Sequence, residues 1–562
     1  MKQIRLALPE EPPSNYDYGK RSSGETHGVV LTRAPVVALI LDLVGYTEDQ
    51  DLGATTLLEP SCGHGAFLEE ALRRLLRSAT RHGRPLSSLK KAIHAFDIDP
   101  VHVEKTRSLL AKILREQGAA PKAATRLAEG WVDCQDFLLA TIERRFDFVV
   151  GNPPYIRIEQ LPPGLIARYR EDHASLYDRA DLYVAFIERG LKLLTPEGLL
   201  SYICADRWIS NKYGGPLRAL ITGNHGVRCY INLHRASPFE SEVIAYPSIF
   251  VLGKRSKAPT LVASLPFASE EVCRHASRVL RGQEESSPEF RVVCHDRWFQ
   301  GDEAWVIGSP EHLAALRLLE ERFPPIEASA RIGIGVATGC DDVYIVRRGE
   351  DIEPDRCIPL VMREDLHNGK ITDAGRFVIN TTDDQGHQVN LERYPRLQHY
   401  LQRHEEAIRR RYVARKNPNA WFRTIDRVTP ALCSTPKLLI PDIAGANEVI
   451  FEQGRFYPHH NLYFITSERW DMEVLGGLLS SRVALFFVWS YAVKMRGGYL
   501  RFQAQYLRRI RLPDPASIPL ALADALRDAF RQRDFPRLDE LALEAYSLPS
   551  LPPFDFVDTR AR

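Results

Sequence analysis

What the chain lacks narrows its class first. Its nine cysteines (62, 134, 204, 229, 273, 294, 340, 357 and 433) form no CxxC pair and stand near no ligand-spaced histidine pair. Their number is odd, so a reduced compartment without structural zinc is expected rather than a disulfide framework. Long hydrophobic runs are missing too. The opening MKQIRLALPEEPPSNYDYGKRSSGE is mixed in charge, and the run 483–488 is far too short to span a bilayer. No signal peptide and no membrane partner are expected, and the location expected is a bacterial cytoplasm or nucleoid. A large net charge is absent: +2 over 562 residues excludes a generic polycation, so a nucleic-acid partner would need a local basic face. A complete glycine fingerprint is also absent. The turn Glu59-Pro60-Ser61-Cys62-Gly63-His64-Gly65 carries two glycines and no phosphate-binding lysine, which favours a nucleoside ligand without phosphates over NAD or ATP.

What is present describes a folded chain of two or three domains, 44% apolar and 26% charged. Residues 1–23 read as an irregular arm. The stretch from 24 to 258 alternates strand and helix: a helix over about 35–44 with Thr32 as its N-cap, a strand at 56–59 with a helix to about 80, a strand at 93–97 with a helix over 101–117, a strand near 131–132 ending at Asp136-Phe137, and a strand at 147–151. This rhythm predicts a parallel sheet with crossover helices, an α/β domain of Rossmann-like type. A helix from Leu182 to Leu194 and strands at 199–204, 227–233 and 244–253 follow. From 259 to 515 the runs shorten and the rhythm is lost, predicting a mixed α+β second domain. Within it we expect helices at 309–323, 397–416 and 470–490 and strands at 332–336, 343–347, 438–442 and 457–465. Residues 516–562 read as a helical extension and tail.

The organising element is Phe148-Val149-Val150-Gly151-Asn152-Pro153-Pro154-Tyr155. A buried strand stops at a loop that two prolines make rigid, and the first proline drives Asn152 out of the helical region. The loop offers an amide side chain, the Pro153 carbonyl and one aromatic ring at a strand's carboxyl end, where open α/β sheets bind ligands. That set can grip an exocyclic amine on a flat base. Asn-Pro is also a common turn opener, and only the neighbouring elements tell against that plainer reading. Asp97 ends the second strand, where an acid accepts ribose hydroxyls. Asp99-Pro100 is the better capping pair for the next helix, leaving Asp97 for that role. Asp136 and Phe137 suit an adenine amine and its ring.

In this order the elements resemble the S-adenosylmethionine-dependent DNA methyltransferases that act on exocyclic amines, closely the gamma class typified by the TaqI adenine methyltransferase. Gly28 to Val44, with Thr32, matches the segment that packs over the cofactor, and Leu58 to Phe67 matches the cofactor loop, including Glu59, Pro60, Cys62, Gly63, Gly65 and Phe67. Asp97 falls on the ribose-binding acid with Ile98 beside it, Asp136-Phe137 on the adenine-binding pair, and Asn152-Pro153-Pro154-Tyr155 on the catalytic tetrapeptide. Phe239 lies where the family places an aromatic opposite the tyrosine, although Glu240-Ser241-Glu242 replaces the basic or polar cluster that often follows. Gly335–Gly339, the helix after Tyr394-Pro395, Pro436-Lys437 with Pro441-Asp442, and Gly497–Phe502 resemble landmarks of the family's target-recognition domains. The resemblance spans about 28–512.

It implies a restriction–modification enzyme that methylates N6 of a flipped adenine in double-stranded DNA, with S-adenosyl-L-methionine as cofactor, no metal and no covalent intermediate. It implies a monomer or weak dimer, with a cognate restriction endonuclease acting separately. N4 of cytosine is the alternative amine, since the same two acceptors serve either base, and a bifunctional or multi-subunit restriction–modification component is the other. Cys62 reads as a small buried residue rather than a nucleophile. The charges of 403–416 recur around a helix and fit either a solvated face or phosphate contact, whereas those at Lys494, Arg496, Arg501, Arg508, Arg509 and Arg511, interleaved with aromatics and glycines, suit phosphate contact better. Loops 338–342 and 445–447 are candidates for base reading.

Overall fold

The computed structural model describes residues 30–234, 236–241, 246–255, 258–287, 290–296, 298–299, 301–383, 385–492, 499–554 and 556. The expected arm at 1–23, Gly28, Lys494, Arg496 and the Gly497-Gly498 pair lie outside them. Two compact units divide the chain between Val306 and Ile307.

The first unit opens with helix α1 (Ala34–Leu43) and alternates β1 (Leu57–Glu59), α2 (Ala66–Arg81), β2 (Ile93–Asp97), α3 (Pro100–Glu116), α4 (Pro121–Trp131), β3 (Val132–Cys134), β4 (Phe146–Gly151), α5 (Pro163–Asp172), α6 (Tyr183–Lys192) and β5 (Leu194–Ala205). Strands β6 (His225–Asn232), β7 (Pro247–Lys254), β8 (Thr260–Ser264) and β9 (Val292–His295) complete one nine-stranded sheet in the order β3-β2-β1-β4-β5-β7-β6-β8-β9. The first five strands are parallel, as the alternation predicts. The sheet then turns mixed: β7 runs antiparallel to both β5 and β6, and β9 antiparallel to β8. Strands β6 and β7 follow one another with no described helix between them, so the chain returns without a crossover.

Local chemistry explains the elements that frame the cavity. The buried β1 is the middle one of the five parallel strands. Gly65, at φ +85°, starts α2 in a left-handed conformation, and a Cβ there would come within 3.2 Å of the Thr106 side chain. Phe67, Leu68, Ala71, Leu72, Leu75 and Leu76 then recur at helical spacing to form α2's buried face. Asp99 caps α3 by accepting from Val101 N at 2.8 Å, with Pro100 in the first turn. Thr32 does not cap α1: that position is Arg33, which makes no side-chain cap bond.

Two expected boundaries shift. The first unit does not end at 258, because β8 and β9 extend its sheet and the helix Glu270–Leu280 packs on α1. There Ser277 Oγ donates to Asp42 Oδ2 at 2.7 Å, while Arg74 of α2 meets Asp42 Oδ1 at 2.7 Å. Residues 516–554 are not a separate extension. Leu520–Gln532 packs on Met472–Ser480 so closely that a Cβ on Gly476 would sit 2.6 Å from the Phe530 ring.

The second unit holds two four-stranded sheets. One joins Arg331–Ile334, Leu462–Thr466, Lys437–Pro441 and Ile450–Glu452, and the other Ile345–Arg347, Arg376–Ile379, Cys357–Val361 and Tyr457–Pro458. The expected strand at 343–347 begins as a helical turn, Asp341–Tyr344. The expected helix at 470–490 bends by 60° between Met472–Ser480 and Arg482–Tyr491, where Ser481 caps the second piece. The expected helix at 397–416 breaks into Pro395–Arg403, Glu405–Arg409 and Tyr412–Lys416. The second break falls at Arg411, whose backbone is extended. Among the described residues no single helix is long and apolar enough to cross a membrane.

Candidate active site

Strand order reverses between β1 and β4: β2 and β3 lie to one side of β1, β5 beyond β4. Loops leaving adjacent strands at such a point diverge and open a crevice at their carboxyl ends. The crevice here is a cavity of ≈ 960 Å³, counting its open mouth, lined by the loops after β1, β2, β3 and β4. Of the residues proposed from sequence, Thr32, Glu59, Pro60, Cys62, Gly63, Phe67, Asp97, Ile98, Asp136, Phe137, Asn152, Pro153 and Tyr155 all line it. Gly65 and Phe239 do not.

Asn152 is held in one orientation. Its Nδ2 donates to Val30 O at 2.9 Å and to Thr32 Oγ1 at 3.2 Å, while its Oδ1 is buried and has no partner among the described residues. The amide therefore spends its donors on the segment before α1 and keeps its acceptor unused. That segment is itself strapped down: Arg33 N donates to Pro238 O at 3.0 Å, Glu240 N to Leu31 O at 2.9 Å, and Arg33 Nε to Phe239 O at 2.9 Å.

The strap brings Phe239 to Tyr155. Their ring centroids are 6.2 Å apart at an interplanar angle of 83°, an edge-on contact, and Phe239 is buried. The two rings thus stand together, as the sequence suggests, but not as parallel plates. Among the described residues the Tyr155 hydroxyl reaches only Ile203 O, at 3.5 Å.

At the opposite end of the cavity Asp97 accepts from Gly63 N at 2.8 Å through Oδ2, and from Asp99 N at 2.9 Å and His102 Nδ1 at 3.3 Å through Oδ1. A carboxylate offers about four lone-pair positions, so one on Oδ2 remains for a ligand. The Asp97 hydrogen bond raises the His102 imidazole above its usual range, against its burial. Ile98 stands 42% exposed at the rim, an apolar surface that a flat ring would cover. Asp136 accepts from Leu138 N at 2.9 Å and from the Tyr169 hydroxyl at 2.6 Å, and burial raises its carboxyl. Phe137 packs between Phe96 and Phe186.

Glu59 is buried, and its Oε2 has no partner among the described residues. Burial, then the neighbouring Asp97, pushes its carboxyl well above the usual carboxylate range. An acid so placed fits a ligand that brings a cationic donor. The Cys62 thiol is likewise raised by burial, which keeps it protonated and unreactive, in keeping with a structural part.

His102, Tyr169, Leu182 and Phe186 also line the cavity and were not singled out from sequence. Leu182 and Phe186 lie in the helical stretch read at 182–194. Tyr169 belongs to α5, a helix absent from the elements expected from sequence. Its signal was available in Pro162-Pro163 followed by Leu165 and Tyr169 at an i,i+4 spacing. The basic helix of the second unit uses its charges mostly at home. Arg411 donates to the carbonyls of Thr338 at 2.9 Å, Trp421 at 3.1 Å and Arg423 at 2.9 Å and lies over the Tyr344 ring, while Arg409 and Arg410 pair with Glu405 and Glu406.

Residues 87–239 match the family model of the Eco57I restriction-modification methylase. The chain is 45% identical over 534 residues to the Type II methyltransferase M.XhoI of Xanthomonas vasicola, covering 93% of this chain and 98% of that protein. It is 43% identical over 529 residues to the Type II methyltransferase M.PaeR7I of Pseudomonas aeruginosa, covering 93% and 92%. The structure also resembles that of the Type IIL restriction-modification enzyme MmeI, solved in complex with DNA, with a TM-score of 0.58 at 12% identity over 92% of this chain and 74% of that one. At that identity the likeness is one of fold.

Proposed function

The chain belongs to the Type II methyltransferases of restriction–modification systems, and from that premise we propose that it methylates N6 of an adenine swung out of duplex DNA at a specific site, so that a separate restriction endonuclease spares that DNA. The methyl donor is S-adenosylmethionine, which when bound supplies an electrophilic methyl group on a sulfonium. The cavity fits it: Glu59 offers an unpaired buried acceptor for the amino-acid end, Asp97 an open lone pair for the ribose, and Asp136 with Phe137 a carboxylate and a ring for the adenine.

The observation that carries the reading is the unpaired, buried Oδ1 of Asn152. An exocyclic amine is a poor nucleophile because its lone pair is delocalised into the ring. Asn152 Oδ1 and the Pro153 carbonyl accept hydrogen bonds from its two N–H groups, which draws the nitrogen toward tetrahedral geometry and localises the lone pair on it. Preorganised acceptors of this kind need no rearrangement during the reaction and contribute much of the rate. Tyr155 covers one face of the base and Phe239 approaches the other. Extrusion is required because N6 cannot be reached while the base is stacked. The choice of adenine rests on the likeness to the gamma class. The second unit, with its exposed arginines, is the part proposed to dock on the duplex.

Incubation with duplex DNA and methyl-labelled S-adenosylmethionine, followed by nucleoside analysis, tests this. N6-methyladenine that vanishes in Asn152→Ala is the expected result. N4-methylcytosine would keep the mechanism and replace the base; label retained by the variant would overturn the assignment of Asn152.

A further inference from the structure

We propose that Tyr169 is a positioning residue that sets the preference of the cofactor pocket for a 6-amino purine over its 6-oxo counterpart. The proposal rests on the reading of Asp136 as the acceptor for the cofactor's exocyclic amine. Backbone ties bring Tyr169, from a distant helix, to that carboxylate. The chain leaves the Asn152 loop, makes an excursion over 157–181 that contains α5, and returns. Its two ends are tied where Leu182 N donates to Ile156 O at 2.8 Å and Arg157 bridges to Asp181. It is tied again beside Asp136, where His173 Nε2 donates to Leu138 O at 3.1 Å. Tyr169 is the α5 residue that enters the cavity, and it is 2% exposed.

Its hydroxyl donates to Asp136 Oδ2 at 2.6 Å while Leu138 N donates to Oδ1 at 2.9 Å. Each oxygen thus has a donor of its own, which fixes the carboxylate plane and favours the ionised, acceptor-only form. An amine donates to such a group. A 6-oxo oxygen would instead face an oxygen lone pair, and a site built for one pattern rejects the other. Burial works the opposite way on Asp136, raising its carboxyl, and the groups that oppose it are Tyr169, the Leu138 amide, Arg189 and Arg168. Removing the Tyr169 hydroxyl leaves Oδ2 without its donor. The carboxyl then takes a proton more readily, and its O–H can serve a 6-oxo group.

The test is equilibrium binding of S-adenosylhomocysteine and S-inosylhomocysteine to the full chain, to Tyr169→Phe and to Asp136→Asn at one pH. Tyr169→Phe keeps the buried ring, so the fold is retained. The adenosyl-over-inosyl preference is expected to fall about tenfold in Tyr169→Phe, and to fall in Asp136→Asn as well. Equal weakening of both ligands in Tyr169→Phe, as a merely structural role would give, overturns the proposal. A preference lost in Asp136→Asn but intact in Tyr169→Phe also overturns it while sparing the reading of Asp136. A preference intact in both variants overturns that reading itself.

Discussion

Thr32 Oγ1 accepts from Asn152 Nδ2 at 3.2 Å, across 120 residues of chain. A residue whose type and place suggest a helix cap instead holds the amide of Asn152. Thr32→Val keeps the shape and removes the acceptor, leaving only Val30 O for the two amide protons. Loss of one such bond is worth about 0.5–1.5 kcal/mol, so kcat is expected to fall roughly 3- to 10-fold. Thr32→Ser restores the hydroxyl and should restore the rate. A valine variant with full kcat would show that Val30 alone holds the amide.

Glu59 carries a buried carboxyl with an unpartnered oxygen among the described residues. Its carboxyl is raised by burial, so between the ordinary carboxylate value and that raised value the native chain holds a proton the unfolded chain has lost. Stability is therefore fully present below the unfolded value and declines as pH rises through this window. Glu59→Gln removes the dependence. Thermal melts of the unliganded protein should show the variant about 2–4 °C more stable at pH 8, with a smaller gain at pH 5. The same variant should bind S-adenosylmethionine roughly 10- to 150-fold more weakly, as for loss of a charged hydrogen bond. Equal melting of both proteins at pH 8 would contradict the burial argument.

Elements whose own residues decide them were legible in the sequence. The run into Gly151-Asn152-Pro153-Pro154, the small-residue turn at 61–65 and the Asp99-Pro100 cap carry their conformations locally, and they stand in the structure where the sequence puts them. The parallel half of the sheet follows from their alternation. Decisions made by distant partners were not legible. Nothing near Thr32 announces Asn152, nothing near Tyr169 announces Asp136, and the return of β8 and β9 to the first sheet depends on pairing that has no local period. The break at Arg411 was hidden for the same reason: the carbonyls that hold its guanidinium lie up to 73 residues away.

Phe239 meets Tyr155 edge-on at 83°, so holding a base flat between them requires one ring to turn. Base-on-aromatic stacking is worth about 1–3 kcal/mol. Phe239→Leu preserves an apolar plug under the strap and deletes the ring, and kcat/KM for DNA is expected to fall about 10- to 100-fold by that stacking energy. Cofactor affinity should hold, since Phe239 does not line the cavity. Fluorescence of 2-aminopurine at the target position gives a direct reading of whether the extruded base is still held. Unchanged fluorescence and unchanged kcat/KM would remove Phe239 from the machinery.

Arg410 and Arg411 are neighbours with opposite employment. The Arg410 side chain is 77% exposed and pairs with Glu406 four residues back, whereas Arg411 ties together carbonyls of Thr338, Trp421 and Arg423 and covers the Tyr344 ring. Arg411→Ala leaves several carbonyls without their donor and is expected to cost about 2–4 kcal/mol of stability, visible as an early melting transition. Any loss of DNA binding should accompany that transition. Arg410→Ala should melt as the parent does, because exposed i,i+4 pairs contribute only about 0.3–0.5 kcal/mol. If Arg410 meets a phosphate, the slope of log affinity against log salt should shrink by about 0.9 in that variant. An Arg411→Ala protein of parental stability but weakened, less salt-dependent DNA binding would return Arg411 to the duplex and refute its structural assignment.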